Sequence, residues 1–534
     1  MPSGVSSIVL VKRPRKSAPK VRTGCATCKI RRVKCGEEKP GCIRCISTGR
    51  KCDGYAQSTN YNHFEALAVK RVSGPLNGVP TLQNLGDNVR YLEFYHHCAG
   101  PTISSKFDKE FWSRTSLQMA QSEPCIRHAL IALGYLNKTE TGSLKDARSG
   151  LMAAPEQKTL LFHYNKAVNS LVQRISEPSY SPEIGLVSCI LFVCIEFLRG
   201  NYDTAFAHFY SGLKIISAFK RNQKSSPIQS PGPSLIEDLL IPIFTRLVTT
   251  AIIYGVPTEL ILHSCYYPRE LQEHPFTSVL EAQTSMHKIR NLSMMFMRNI
   301  GPKLMIPGVL AEEDLQHQKD VLEYHHAWLH ALEEFERKTT LSKEDAITAN
   351  SLKASHYCSY IFTACATGAS EMVFDQHLDG FKTLINHARI ALDSMGSISS
   401  TSPGAKFTFE VSLIPFLYFT ACHCRCPVTR REAISLLKRN LPREGLWDAQ
   451  QHTAVASRII EIEESELDPV TGWPVERTRI WSTIINGEMD ANGRFPVYFA
   501  VGIWGEGRGI PPLPEGMVLS GSPEGRMWRE WFVL

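Results

Sequence analysis

The sequence lacks an apolar run long enough to cross a bilayer. Its best stretch, Leu186 to Leu198, is too short and already carries Glu196, whereas a span needs about 20 apolar residues. A second stretch, Leu239 to Val256, is broken by Pro242 and Arg246. Near the start only Ile8 to Val11 is apolar, and the charges follow it, so no secretory signal is expected. No membrane partner is expected, and the chain reads as soluble and intracellular. Sustained alternation of apolar and polar residues is also missing, which argues against a large sheet. The H-E-x-x-H pattern of zinc hydrolases does not occur. What is present is an ordinary globular composition, 43% hydrophobic and 21% charged, which excludes a wholly disordered chain. At 534 residues there is room for one small and one large domain, or for several.

The charge is unevenly placed. Residues 1–55 hold fourteen Lys/Arg against Glu37, Glu38 and Asp53, a net +11, so the rest of the chain carries −4 of the total +7. A basic head on a mildly acidic body suggests a polyanionic partner for the head. Six of the sixteen cysteines crowd into the same head, between Cys25 and Cys52. Without a secretory signal, such clustering points to a metal site and not to disulfides.

The six cysteines are Cys25, Cys28, Cys35, Cys42, Cys45 and Cys52, two copies of C-x2-C-x6-C offset by 17. Structural zinc takes four soft ligands in a tetrahedron. Six thiolates overfill one site, and the first histidine, His63, is too far along to complete two. Two zinc ions are satisfied only if two thiolates bridge, and the repeat implies that the bridging pair occupies equivalent positions. Two Zn²⁺ with six thiolates leave a formal charge of roughly −2, which the surrounding Lys29, Arg31, Arg32, Lys34, Arg44, Arg50 and Lys51 offset. A short helix is expected after each C-x-x-C, with Gly36, Pro40 and Gly41 turning the chain between halves. About thirty residues cannot bury a useful apolar core, so metal must supply the folding energy.

This C-x2-C-x6-C-x6-C-x2-C-x6-C string has basic residues between its second and third cysteines and Pro40 two before the fourth. It resembles the fungal Zn₂Cys₆ binuclear cluster transcription factors, as does the trailing Cys52-Asp-Gly-Tyr55. The resemblance implies that Cys25 and Cys42 bridge, that Cys28 and Cys35 complete one zinc site, and that Cys45 and Cys52 complete the other. It implies further that the first helix enters the major groove at a CGG triplet, with Arg31 and Arg32 at base edges and Lys29 and Lys34 nearer phosphate. Pro40 would hold the turn. Guanine's paired O6 and N7 acceptors suit these side chains. Upstream, Lys12-Arg13-Pro14-Arg15-Lys16 with Lys20 and Arg22 forms a basic arm suited to nuclear import or to added phosphate contacts.

The chain accordingly divides into a basic arm and possible nuclear-localisation signal (1–22), the Zn₂Cys₆ DNA-binding domain (23–55), a linker (56–85), an all-α regulatory domain (86–510) and a C-terminal tail (511–534). The linker lacks the three apolar heptads of a dimerising coiled coil, which leaves homodimer and monomer both open. Beyond Asn88 the spacing predicts helices at about 156–176, 183–199, 202–220, 235–254, 277–299, 315–337, 344–373, 378–395, 406–424, 428–440, 447–466 and 475–488. Gly200, Gly255, Gly301 and Gly396 are placed to stop helices, and 221–234 reads as a Ser/Pro-rich loop. This body resembles the fungal-specific regulatory region of the same family through Tyr91-Leu-Glu-Phe-Tyr95 with Phe111-Trp112, Ile414 to Arg431, Arg443-Glu-Gly-Leu-Trp-Asp448 and Ile460 to Glu464. The resemblance implies a regulatory and activating module.

Other signals are weaker. Cys422-His-Cys-Arg-Cys426 could suggest metal, but buried thiols are the default. His326 and His330 read as an exposed helix face, and Gly505 to Gly509 as a turn. Zinc deaminases need an H-x-E and a P-C-x-x-C with an open coordination position; here Gly41 separates Pro40 from Cys42 and no histidine lies upstream of the cysteines, so no catalytic residue is assigned. The expectation is a nuclear, zinc-dependent, sequence-specific regulator of RNA polymerase II transcription that binds double-stranded DNA and the transcription machinery. Two alternatives are a ligand-sensing regulator whose helical body holds a small metabolite and an RNA-binding or adaptor protein. The latter is disfavoured by the missing aromatics between Cys25 and Cys52. If Arg32 reads guanine, Arg32→Ala costs about 1–3 kcal/mol on a CGG duplex and relaxes one base position. Lys29→Ala weakens all duplexes alike, and titrations on CGG and scrambled DNA distinguish the two.

Overall fold

The computed structural model describes residues 25, 27–28, 31, 33–36, 38, 42–49, 51–52, 88–105, 107–149, 154–225, 234–255, 271–304, 310–368, 370–396, 405–439, 441–485, 489–501 and 527–534. The basic arm, the linker, Lys29, Arg32, Pro40 and Gly505 to Gly509 lie outside the described residues. The chain forms two units, Met1–Gly78 and Val79–Leu534. In the first, α1 (Ile43–Ile46) starts directly after Cys42, so the helix contains the second cysteine of its C-x-x-C instead of following it.

The larger unit is mostly helical. It begins with α2 (Val89–Phe94) and continues through α3 (Pro124–Thr139), α4 (Ala154–Ile175), α5 (Pro182–Leu198), α6 (Tyr202–Ser225) and α7 (Ile241–Tyr254). Next come α8 (Val279–Leu304), α9 (Glu312–Lys338), α10 (Lys343–Cys365) and α11 (Leu378–Gly396), then α12 (Ile414–His423), α13 (Pro427–Leu437) and α14 (Ala449–Glu463). The apolar run noted in the sequence is α5, buried from Ile184 through Leu198. Each large side chain so buried contributes about 1.5–3 kcal/mol. Its single acid, Glu196, pairs with Arg199 at 2.9 Å. Pro182 sets the first turn, and Gly200 ends the helix at φ 68°, as Gly255 ends α7 at φ 98°. Gly301 does not stop α8, which runs on to Leu304. Among the described residues no helix is long and apolar enough to cross a membrane.

Strands are the departure from the all-α expectation. The segment expected as a helix at 475–488 is a 3-10 turn followed by β3 (Ile480–Ile485), which pairs antiparallel with β4 (Arg494–Val501). β5 (Met527–Val533) pairs along β4 on the other side, so the expected tail supplies a strand to this sheet. Ile480, Trp481, Ile484 and Ile485 also fit helical spacing, which explains the misreading. β4 is the central strand, burying Phe495, Val497 and Phe499. It tolerates Pro496 because the ladder with β3 ends at Val497. Residues expected to open the 406–424 helix instead form β1 (Phe407–Thr408), parallel to β2 (Arg443–Glu444).

The segments that carried the family resemblance have structural work here. The Glu444 carboxylate accepts the backbone N–H groups of Ser412, Leu413 and Ile414 at 2.8, 3.0 and 3.2 Å, capping α12. Arg443 Nη2 donates to the Leu198 carbonyl at the end of α5 (2.8 Å), and Asp448 caps α14 through Gln451 N–H (3.0 Å). Arg425, framed by three cysteines, is buried and donates from Nη2 to Glu371 and Glu463, both at 3.0 Å. Arg430 Nη2 reaches the other Glu463 oxygen at 2.7 Å, and Ile480 N–H donates to Glu463 at 3.0 Å. One carboxylate thus joins α14, the α12–α13 corner and the start of β3. Burial opposes ionisation of Glu463, but Arg425 and Arg430 outweigh it and hold its pKa below the usual value. Glu463→Gln leaves two guanidinium groups short of charge and is expected to cost about 3–5 kcal/mol in urea unfolding. The exposed Glu110–Arg114 pair provides the control, since Glu110→Gln should change stability by no more than about 0.5 kcal/mol.

Candidate metal centre and nucleic-acid face

The six cysteines converge. Cys25, Cys42 and Cys45 are fully buried and Cys28 is 1% exposed, with Cys35, Cys52 and Val33 packed around them. The sulfurs fall into two quartets, Cys25/Cys28/Cys35/Cys42 and Cys25/Cys42/Cys45/Cys52, each with every sulfur within 4.8 Å of the others. Cys25 and Cys42 belong to both, their Sγ atoms 3.6 Å apart. A tetrahedron with Zn–S bonds of about 2.3 Å has edges near ~3.8 Å. The Cys28–Cys42 and Cys25–Cys45 separations, 3.6 and 3.9 Å, lie close to that. The chemistry of the donors and their spacing therefore fit a binuclear zinc cluster.

The 17-residue repeat recurs in the hydrogen bonds. Cys28 N–H donates to Cys25 Sγ (3.4 Å) and Cys45 N–H to Cys42 Sγ (3.3 Å). Cys25 N–H donates to Cys35 Sγ (3.3 Å) and Cys42 N–H to Cys52 Sγ (3.4 Å). Each bond has its twin, a pseudo-twofold arrangement in which backbone donors soften charge on sulfur. Burial, reinforced by hydrogen bonds among the sulfurs, pushes the Cys45 thiol up to about 12 and raises Cys25 and Cys28 as well. Such crowding disfavours bare thiolates, and a divalent cation reverses that preference by deprotonating its ligands.

Among the basic residues expected at DNA, Arg31 and Lys34 are described. Arg31 sits in the turn after Cys28, its backbone N–H bonded to Thr27 O (3.2 Å), and its Nη1 donates to Thr48 Oγ1 in the second half (3.4 Å). Lys34 is exposed, as are Arg44 and Lys51 on the second half. Sequence reading missed Glu38, whose carboxylate accepts Ile43 N–H (3.0 Å) at the start of α1. The available signal was an acid just ahead of a helix N-terminus. It also missed Thr48, which ties the halves together through Arg31 and caps its own turn on the Arg44 carbonyl (2.9 Å).

The rival signals resolve differently. α12 ends at His423, so Cys424 and Cys426 lie on the connection to α13. Among the described residues only the two N-terminal quartets have metal-ligand spacing. His326 and His330 are exposed on α9, with His326 Nε2 3.2 Å from Tyr360 OH.

Two family models match the chain: the fungal Zn(2)-Cys(6) binuclear cluster domain over residues 23–62 and the fungal specific transcription factor domain over 90–253. The chain is 31% identical over 258 residues to the aspercryptin biosynthesis cluster-specific transcription regulator of Emericella nidulans, covering 42% of this chain and 40% of that protein. It is 27% identical over 201 residues to a transcription regulator of Purpureocillium lilacinum, 36% of this chain and 48% of the other. An uncharacterized transcriptional regulatory protein of Schizosaccharomyces pombe is 31% identical over 176 residues, 29% of this chain and 32% of the other. The matches span less than half the length of each of these relatives. No solved structure matches the chain. The matched family is non-catalytic. With its cysteine quartets matched over 23–62 and the first part of its helical body over 90–253, the chain carries a fungal Zn(2)-Cys(6) binuclear cluster domain followed by a fungal-specific transcription regulatory domain.

Proposed function

We propose that the protein is a nuclear, zinc-dependent, sequence-specific DNA-binding regulator of RNA polymerase II transcription that reads a CGG-type triplet in the major groove. The observation that carries this reading is the pair of quartets sharing Cys25 and Cys42. In it Cys25 and Cys42 are the bridging ligands, Cys28 and Cys35 complete one site, and Cys45 and Cys52 complete the other. When bound, the zinc pair cross-links the two halves of a head too small to hold itself together by apolar burial. Arg31 and Arg32 then face base edges, and Lys29 and Lys34 lie along phosphates. Arg31 would exchange its Thr48 bond for guanine O6 and N7. The +11 head supplies the sequence-independent attraction, which weakens steeply with salt. The helical body is the regulatory part and the surface for the transcription machinery.

Two measurements test the reading. Metal analysis of the purified full chain is expected to return two zinc ions, falling to about one in Cys52→Ala and to fewer than one in Cys25→Ala, because Cys25, unlike Cys52, serves both quartets. Equal losses in the two variants would remove the bridging assignment. Selection of bound duplexes from a random pool is expected to enrich CGG triplets. Their number and spacing report whether one head or two engage DNA, and a pool without a common triplet would overturn sequence-specific readout.

A further inference from the structure

The helical body contains a cavity of about 210 Å³ between α8, α10 and the β1–α12 connection, the room of about seven waters. Its wall is polar on one side. Gln283 Nε2 donates to Glu410 Oε1 at 2.7 Å, which leaves Gln283 Oε1 without a donor although the residue is only 6% exposed. Ser355, 3% exposed, has no partner for its hydroxyl. Arg290 donates from Nε to Thr249 (3.2 Å) and from Nη2 to His287 Nδ1 (2.8 Å). A guanidinium can only donate, so the His287 proton sits on Nε2, which faces Glu410 Oε1 at 3.4 Å. Burial and the Arg290 charge push His287 down to about 4, so the ring is neutral. Burial also works against ionisation of Glu410, but the His287 hydrogen bond and the Arg246 charge outweigh it and hold the carboxyl at about 2. The polar side of the cavity therefore offers a carboxylate and an unmet acceptor, a guanidinium joined to them through His287, and an unmet hydroxyl from α10. Met286, Leu352 and Phe416 supply its apolar wall.

Orphaned polar groups at these depths are costly and rare. Three line one cavity, Gln283 Oε1, Ser355 Oγ and His287 Nε2, and beside opposite fixed charges they describe a ligand with a donor-rich cationic end, an acceptor-rich anionic end and a short apolar arm. We propose that the cavity binds a free α-amino acid of modest size. Its ammonium sits toward Gln283 Oε1 and Glu410, its carboxylate toward Arg290 and Ser355, and its side chain against Met286, Leu352 and Phe416. Such a site would give the body an input of its own.

The test is a thermal-unfolding screen of the full chain against each of the twenty L-amino acids up to 10 mM, followed by calorimetric titration of any that shift the midpoint. At least one small or medium amino acid is expected to raise the midpoint saturably, and its deaminated and amidated analogues should bind at least tenfold more weakly. Ser355→Ala removes only an unpartnered hydroxyl, so it should leave the ligand-free midpoint unchanged or higher while weakening binding about fivefold or more. Glu410→Gln should weaken it further. A flat response to all twenty would leave water as the occupant and overturn the proposal. So would equal affinity for the deaminated acid, or unchanged affinity in Ser355→Ala. The assay contains no DNA, so its outcome is independent of the duplex selection.

Discussion

Two sulfurs 3.6 Å apart, Cys25 and Cys42, are the constraint on which the head depends. Neither quartet is complete without both, and each belongs to a different half of the repeat. In a head built on two separate four-ligand sites no single cysteine would break both, whereas here loss of Cys25 or Cys42 does. Sharing the central pair makes the halves a single unit, which matters because nothing else among its described residues could do so. Among the described residues the Arg31–Thr48 and Thr27–Lys51 bonds also tie the halves, both 3.4 Å and exposed, and two such bonds are too weak to order about thirty residues. The same sharing leaves a net negative cluster, so the cations around it favour the fold.

The body rests on different physics. Its core is apolar burial around α5, but the joints between elements are made by charge placed where burial would normally forbid it. Glu463 serves Arg425, Arg430 and the first residue of β3, and Glu444, Arg443 and Asp448 each meet a helix end. A buried ion pair is weak evidence for net stability. Geometric specificity is the better account here, because a carboxylate with several fixed donors admits few arrangements of α12, α14 and the sheet. Ile414 to Arg431 and Arg443 to Asp448 form these joints and lie beyond the matched residues 90–253, so their role in the body is architectural.

How much was legible follows from how local each constraint is. The metal site was readable because all six ligands fall within one short segment and the 17-residue offset is visible in the letters; the structure repeats that offset bond for bond. Helices such as α5 and α7 were readable because Pro182, Gly200 and Gly255 punctuate them. The sheet was not, because Ile480–Ile485 satisfies helical and extended spacing alike. Its choice is made by partners in β4 and, through β4, by β5 at the far end of the chain. Arg425 was hidden for another reason. Periodicity treats a charge as a solvent marker, so a guanidinium neutralised by Glu371 and Glu463 cannot be told from one in water.

Head and body therefore answer to different variables. A fold held by thiolate–metal bonds responds to metal supply, acidity and oxidation, since its ligands must be deprotonated and reduced to bind. A fold held by α5 and its neighbours responds to temperature and to anything that fills its interior. The sequence separates the two by composition, with six of sixteen cysteines and a charge of +11 in the first 55 residues. The cysteines of the body bear this out. Cys189, Cys194 and Cys422 are deeply packed, and burial raises their thiols, so they behave as small hydrophobes and not as ligands. The same residue type thus does opposite work in the two units, and the local density of sulfur and cations decides which.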